Sequence, residues 1–223
     1  MYMITESKPF EELLDALSDV RSVYVIGCGT CATLLHTGGT PEVLSLGQRL
    51  AEAGKEVTGW MVIPTACDDL SAEALKEQAA SVAAAEALVV LSCALGVQTI
   101  TRFADKPVYP GLNTLFFGKR DSREQFTELC IQCGNCVLGK TAGVCPMTAC
   151  AKSLVNGPCG GYRDGKCEVD RQRDCAWVQI FTRLEQLGRA GALPDLPALK
   201  DYSKMGHPRR VAVPLCGCRR WSQ

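Results

Sequence analysis

Phe10, Leu13, Leu14, Leu17 and Val20 recur at three- and four-residue spacing and form one apolar stripe, which predicts a helix over about residues 9–19. The period then changes. Val23-Tyr-Val-Ile26 is a short β-branched run ending in Gly27, the pattern of a buried strand. Thr40-Pro41 opens a second helix, with Thr40 as N-cap and proline in the first turn, and Gly54 stops it. Residues 57–63 read as a second strand. Ser71 is placed to cap the next helix, with Leu70 and Leu75 as a hydrophobic staple, and alanine carries that helix to about Glu86. Ala87-Leu-Val-Val-Leu91 is a third strand, followed by a short helix near residues 98–104 and an extended region over residues 108–117.

Strand and helix therefore alternate across residues 1–118, which predicts an α/β, Rossmann-like domain: a parallel sheet with flanking helices and right-handed crossovers. Residues 118–128 are charged and read as a link. The hydrophobic pattern then fails. Residues 130–175 hold eight cysteines and hardly an aliphatic run, too little apolar surface to offset the entropy of ordering. Periodicity returns at Trp177-Val-Gln-Ile-Phe181 with Leu184 and Leu187, a helix stopped by Gly188. Residues 119–188 thus form a small cysteine-rich domain. Residues 189–223, with four prolines and no strong period, read as an extended C-terminal arm over the surface or over a partner.

Composition narrows the chemistry. Lys plus Arg and Asp plus Glu both total 24, so the formal charge is zero, and no electrostatic case exists for nucleic acid or an anionic membrane. The Lys/Arg cluster near the C-terminus reads as a solvated tail. Apolar windows such as residues 87–95 are too short to span a bilayer, which excludes membrane insertion. The N-terminus carries acidic residues and Pro9 where a signal peptide would be basic and then apolar, so the expected location is cytoplasmic. In a reducing cytosol, fourteen cysteines point to metal rather than to disulfides.

Cys28 and Cys31 follow the first strand, Cys67 the second and Cys93 the third. All four belong at the carboxyl edge of the sheet, where open parallel sheets bind ligands, and together they would complete one four-cysteine site. Gly27-Cys28-Gly29-Thr30-Cys31-Ala32 also fits a dinucleotide fingerprint, but the acidic residue expected after the second strand is missing, so the cluster is preferred. In the second domain, Cys130, Cys133 and Cys136 stand at the two-residue spacing of bacterial ferredoxins, and Cys145 precedes Pro146. With Cys150, Cys159, Cys167 and Cys175 they make eight, the number for two [4Fe–4S] clusters; the early four would add a third. Zinc is the rival, and one zinc site among them stays open. Gly157, Gly160 and Gly161 would let backbone N–H groups approach the cluster sulfurs. Cys216 and Cys218 are a weaker pair, open between a ligand, a redox pair and no role. His36 and His207 are isolated, and no catalytic triad, carboxylate pair or phosphate loop appears. Such a chain moves electrons for a partner.

The run Cys130-x-x-Cys133-Gly-x-Cys136, Cys145-Pro146, Cys150-Ala-Lys152, Gly157-Pro-Cys159-Gly-Gly161, Cys167 and Arg173-Asp-Cys175-Ala-Trp177 resembles the C-terminal module of the methylenetetrahydrofolate reductase family of anaerobes. The glycine–cysteine turn at residues 27–32 also resembles the front half of that family's small iron–sulfur subunit. The resemblance implies a non-autonomous oxidoreductase subunit of one-carbon metabolism. Its clusters would pass electrons from ferredoxin or a further donor subunit to FMN on a partner TIM barrel. That partner would reduce methylenetetrahydrofolate to methyltetrahydrofolate. The alternative is a zinc-binding structural subunit that scaffolds the flavoprotein without electron transfer.

Overall fold

The structure is a computed structural model that describes residues 1–121, 125–192 and 200–210; Cys216 and Cys218 lie outside the described residues. The chain divides into two compact units, Met1–Glu128 and Leu129–Gln223.

The first unit begins with a strand that the hydrophobic pattern did not announce, β1 (Tyr2–Ser7), followed by α1 (Phe10–Ala16) and β2 (Ser22–Cys28). A single turn, α2 (Cys31–Leu34), precedes α3 (Thr40–Glu52) and β3 (Glu56–Ile63). Then come α4 (Ser71–Glu77), α5 (Ala79–Ala84), β4 (Ala87–Leu91), α6 (Ala94–Phe103), β5 (Val108–Pro110), β6 (Leu112–Arg120) and β7 (Phe126–Glu128). Strands β3-β2-β4-β5 form a parallel sheet in that order. The expected parallel α/β sheet is therefore present. It is joined by a second, antiparallel sheet in the order β1-β6-β7. The extended region after residue 108 is thus two strands in two sheets, divided at Gly111, whose N–H donates to Val90 at 2.9 Å. The charged stretch read as a link holds the end of β6 and all of β7, so it belongs to the first unit's antiparallel sheet.

Val23, Tyr24, Val25 and Ile26 on β2 and Leu88, Val89 and Val90 on β4 are wholly buried, because these central strands are covered on both faces. Leu13 and Leu17, Val43 and Leu50, and Ile100 join that core from α1 and the turn after it, α3 and α6. The N-cap of α3 is Gly39, one residue before the expected Thr40, because the Glu42 carboxylate accepts the Gly39 N–H at 2.8 Å. The alanine-rich helix is two short helices broken at Gln78. Beyond the break, tertiary donors take carbonyls on and just after the second of these helices: Thr58 Oγ1 donates to Ser81 at 2.9 Å, and Lys106 Nζ to Val82 at 2.6 Å and Ala85 at 2.7 Å. Leu70 is exposed, so the expected staple does not form; Ser71 instead donates its hydroxyl proton to the Ala66 carbonyl at 3.0 Å.

Among the described residues, regular structure in the second unit is confined to α7 (Pro146–Ala149), α8 (Ala176–Gln186) and single 3₁₀ turns at Ala190–Ala192 and Ser203–Met205. Its buried apolar cluster is Ala142, Cys175, Trp177, Ile180 and Leu184. Trp177, Ile180 and Leu184 are buried at the expected period on α8, whereas Phe181 and Leu187 are exposed; Trp177 Nε1 donates to the Leu154 carbonyl at 2.8 Å. Residues 200–210 lie against this unit: Lys200 is buried, and Arg209 donates to the Gln132 carbonyl at 2.8 Å.

Gly27 sits at a tight crossing. A Cβ there would press on the Gly38 carbonyl and come within 2.6 Å of Val43 Cγ2. Gly27→Ala is therefore expected to lower unfolding free energy by about 1–3 kcal/mol, the cost of overpacking a full core. Urea unfolding reads this as a lower midpoint at unchanged slope; an unchanged midpoint would contradict the packing.

Candidate functional site

In the first unit, Cys28 is the last residue of β2, Cys31 the first of α2, and Cys93 the N-cap of α6; Cys67 follows the end of β3 by a short turn. The chain leaves β2 for β3 on one side and returns to β4 on the other. Beyond the carboxyl ends of β2 and β4 lies the switch point where such sheets bind ligands. Cys28 and Cys93 are buried, Cys31 is half-buried and Cys67 is exposed. Burial raises the Cys67 pKa, and the charges of Cys93, Cys28 and Cys31 raise it further, so the four thiols lie within electrostatic reach of one another. Burial also acts to raise Cys28, but hydrogen bonds from the Thr30 hydroxyl, the Ala66 and Thr30 backbone and the Ser92 hydroxyl outweigh it, and the net direction is down. The Thr30 hydroxyl lies 3.3 Å from the Cys28 sulfur.

Both glycines of the dinucleotide-like turn are accounted for by protein neighbours. Gly27 faces Gly38 and Val43, and a Cβ on Gly29 would come within 3.0 Å of the Pro64 carbonyl. The helix that follows is four residues long, too short to present the aligned N–H groups and dipole of a pyrophosphate site. The fingerprint arises from close packing.

In the second unit, Cys150, Cys159, Cys167 and Cys175 all line one small cavity, walled also by Pro158, Trp177 and the Lys152–Glu168 ion pair. Gly161 makes this wall possible, because any Cβ at that position would collide with the Glu168 carboxylate. Gly157 and Gly160, with φ of 124° and 79°, occupy backbone conformations that side chains disfavour, which lets the chain bend around Cys159. Backbone N–H groups of Asp170 and Val169 bond to Cys167 and lower its pKa.

Cys130, Cys133 and Cys136 share a loop in which Gln132 (φ 53°) and Gly134 (φ 78°) are both left-handed. That turn aims the Gln132 N–H at Cys130 Sγ, 3.3 Å away. Cys145 caps α7, and Thr148 on that helix donates to the Leu129 carbonyl at 3.3 Å, which ties α7 to the residue before Cys130. A hydrogen bond from the Asn135 backbone N–H, opposed by burial and reinforced by the Lys200 ammonium, lowers the Cys133 pKa.

All twelve described cysteines are free thiols. Among the described residues, no three or more of His, Cys, Asp and Glu stand together as a ready-made metal site. The structure therefore shows gathered thiols and the loops that carry them, and does not show the expected iron–sulfur domain as such. As a donor set the residues fit a thiolate-bound group: sulfurs lining one cavity, amide N–H groups turned toward sulfur, and no disulfide consuming them. Spacing did not single out Lys152, Glu168 or Lys200. Lys152 stands in the Cys150-Ala-Lys152 run that carries the family resemblance; Lys200 carried no sequence signal. His36 and His207 are exposed and take no part. No helix among the described residues is long and apolar enough to cross a membrane.

Residues 109–203 match the family described as methylene-tetrahydrofolate reductase C terminal. The match contains all eight cysteines from Cys130 to Cys175 and also Lys200, and none of Cys28, Cys31, Cys67 or Cys93. It relates this part of the chain to methylenetetrahydrofolate reductases. No curated protein and no solved structure matches the chain.

The pKa directions order the thiols by reactivity. A lowered pKa puts more of a thiol into the thiolate form below its ordinary value, and a raised one puts in less. In reduced, metal-free protein at about pH 8, iodoacetamide is expected to modify Cys133 and Cys167 before Cys67, although Cys67 is the more exposed. Peptide mass spectrometry over time gives the order; earliest labelling at Cys67 would contradict it.

Proposed function

We propose that this protein is an iron–sulfur electron-transfer component of a methylenetetrahydrofolate reductase system. The observation that carries the proposal is the coincidence of two findings on one stretch. The residues that match the reductase C-terminal family hold eight free thiols, four of which line a single cavity. Cys150, Cys159, Cys167 and Cys175 would hold one [4Fe–4S] cluster, and Cys130, Cys133, Cys136 and Cys145 a second. Cys28, Cys31, Cys67 and Cys93 would hold a third group, iron–sulfur or zinc.

When bound, such clusters supply one-electron transfer. The chain's own residues do the rest. Left-handed loop positions turn amide N–H groups toward the sulfurs, and Trp177 and Pro158 keep water from one side of the cavity. The Lys152 ammonium, held by Glu168, places positive charge beside Cys159 and Cys167. The chain would relay electrons to a flavin on a partner subunit, where the folate would be reduced. Ferredoxin or a further redox subunit would be the donor.

The test is the iron, sulfide and zinc content of anaerobically purified protein and of serine variants. Cys150→Ser, Cys159→Ser, Cys167→Ser and Cys175→Ser are each expected to lose the same portion, about four iron and four sulfide per chain. Cys133→Ser is expected to lose a different portion with a separate electron paramagnetic resonance signal. Zinc without iron or sulfide in the parent protein would replace the relay by a zinc-stapled scaffold for the flavoprotein.

A further inference from the structure

Lysine is among the residues least often buried, because removing its ammonium from water is costly unless a partner compensates. Lys200 is 9% exposed. Its Nζ donates to the Asn135 carbonyl, inside the turn between Cys133 and Cys136, and lies 5.8 Å from the Tyr202 ring centroid. The Cys133 thiol also donates to the Asn135 carbonyl, at 3.6 Å, and the Lys200 ammonium acts to lower its pKa. Among the described residues, no carboxylate forms an ion pair with Lys200. The adjacent Asp201, which senses the Lys200 and Lys204 charges, directs its carboxylate to the N–H and hydroxyl of Ser203. Lys204 reaches the same loop, its stem packed over Gly134, but it is exposed.

A full positive charge is therefore buried against a neutral carbonyl and a thiol. Among the described residues, no carboxylate pairs with it directly, and a carbonyl satisfies only one ammonium proton. The cysteine loop itself would supply a negative group beside this ammonium.

We propose that Lys200 is a positioning residue whose buried charge is the counter-ion of the sulfur centre built on Cys130, Cys133 and Cys136, and that it holds the reduction potential of that centre up. This rests on the iron–sulfur reading above. Taking up one electron from a low-potential donor adds one negative charge to the centre. A fixed ammonium beside it stabilises the reduced form more than the oxidised one. Burial makes the effect of Lys200 larger than that of Lys204, whose exposed charge is screened by water and salt.

The test is a potentiometric titration of the anaerobically purified full chain, followed by electron paramagnetic resonance, on the parent protein and on Lys200→Met, Lys200→Arg and Lys204→Ala. Lys200→Met keeps most of the stem and removes the charge. It is expected to retain its iron and sulfide and to shift one cluster signal, the one abolished by Cys133→Ser, to lower potential. The other signals should stay in place, Lys200→Arg should restore the shifted one, and Lys204→Ala should leave every signal where it is. An iron-loaded Lys200→Met that titrates like the parent would overturn the proposal, as would an equal shift of all signals. Loss of iron from Lys200→Met would overturn it as well, by making Lys200 a structural clamp on the loop. A parent protein that contains no iron removes the relay function itself, a failure distinct from these.

Discussion

Among the described residues of the second unit, apolar side chains bury only one small cluster, and much of the structure follows from that constraint. Ala142, Cys175, Trp177, Ile180 and Leu184 make its buried cluster, and one of the five is itself a thiol. Such a cluster recovers little of the free energy that ordering long loops costs. Positive-φ backbone at Gln132, Ala142, Ser153 and Asp164 adds strain of a kind that persists only when other contacts fix it. Sulfur-bound metal is the kind of interaction that could supply the difference, since ligand binding to a folded site adds directly to folding free energy.

The first unit solves a different problem. Its central strands are covered on both faces and need no further support. What stands out there is the placement of Cys28, Cys31, Cys67 and Cys93 at the carboxyl edge, at the point where strand order reverses. A parallel sheet brings its successive βα turns to the same edge by geometry alone, so thiols far apart in the chain become neighbours. Gly27 and Gly29 serve this edge by letting β2 and its turn pack against Gly38, Val43 and Pro64. The same two glycines imitate a nucleotide fingerprint, because close packing and phosphate binding both call for a missing side chain.

Cationic groups accompany the thiols in the second unit at two places, by different means. Lys152 is exposed and anchored by Glu168, and Gly161 leaves room for that carboxylate. Lys200 is buried and anchored by a backbone carbonyl. The difference matters physically. An exposed pair is largely screened by solvent, whereas a buried charge acts at full strength on what it touches.

The sequence by itself determined the parts whose signal is local. The β-branched runs at residues 23–26 and 87–91, the helix opened by Pro41 and the stripe on α8 are each written in a single window of residues, and each appears in the structure. The spacing of Cys130, Cys133 and Cys136 likewise needs one loop only. Tertiary structure decided everything that depends on residues distant in the chain. Strand β1 is stabilised by pairing with β6 more than a hundred residues later, a partnership no window can show. The carbonyls of Ser81 and Val82 on α5 are taken by donors from Thr58 and Lys106, distant in the chain. The grouping of Cys150, Cys159, Cys167 and Cys175 depends on loop paths that cysteine counting leaves open. Lys200, in a stretch that reads as an extended arm, gains its importance by folding back onto Asn135. Periodicity records what a segment does with its own neighbours; which distant group it meets is settled only when the chain closes on itself.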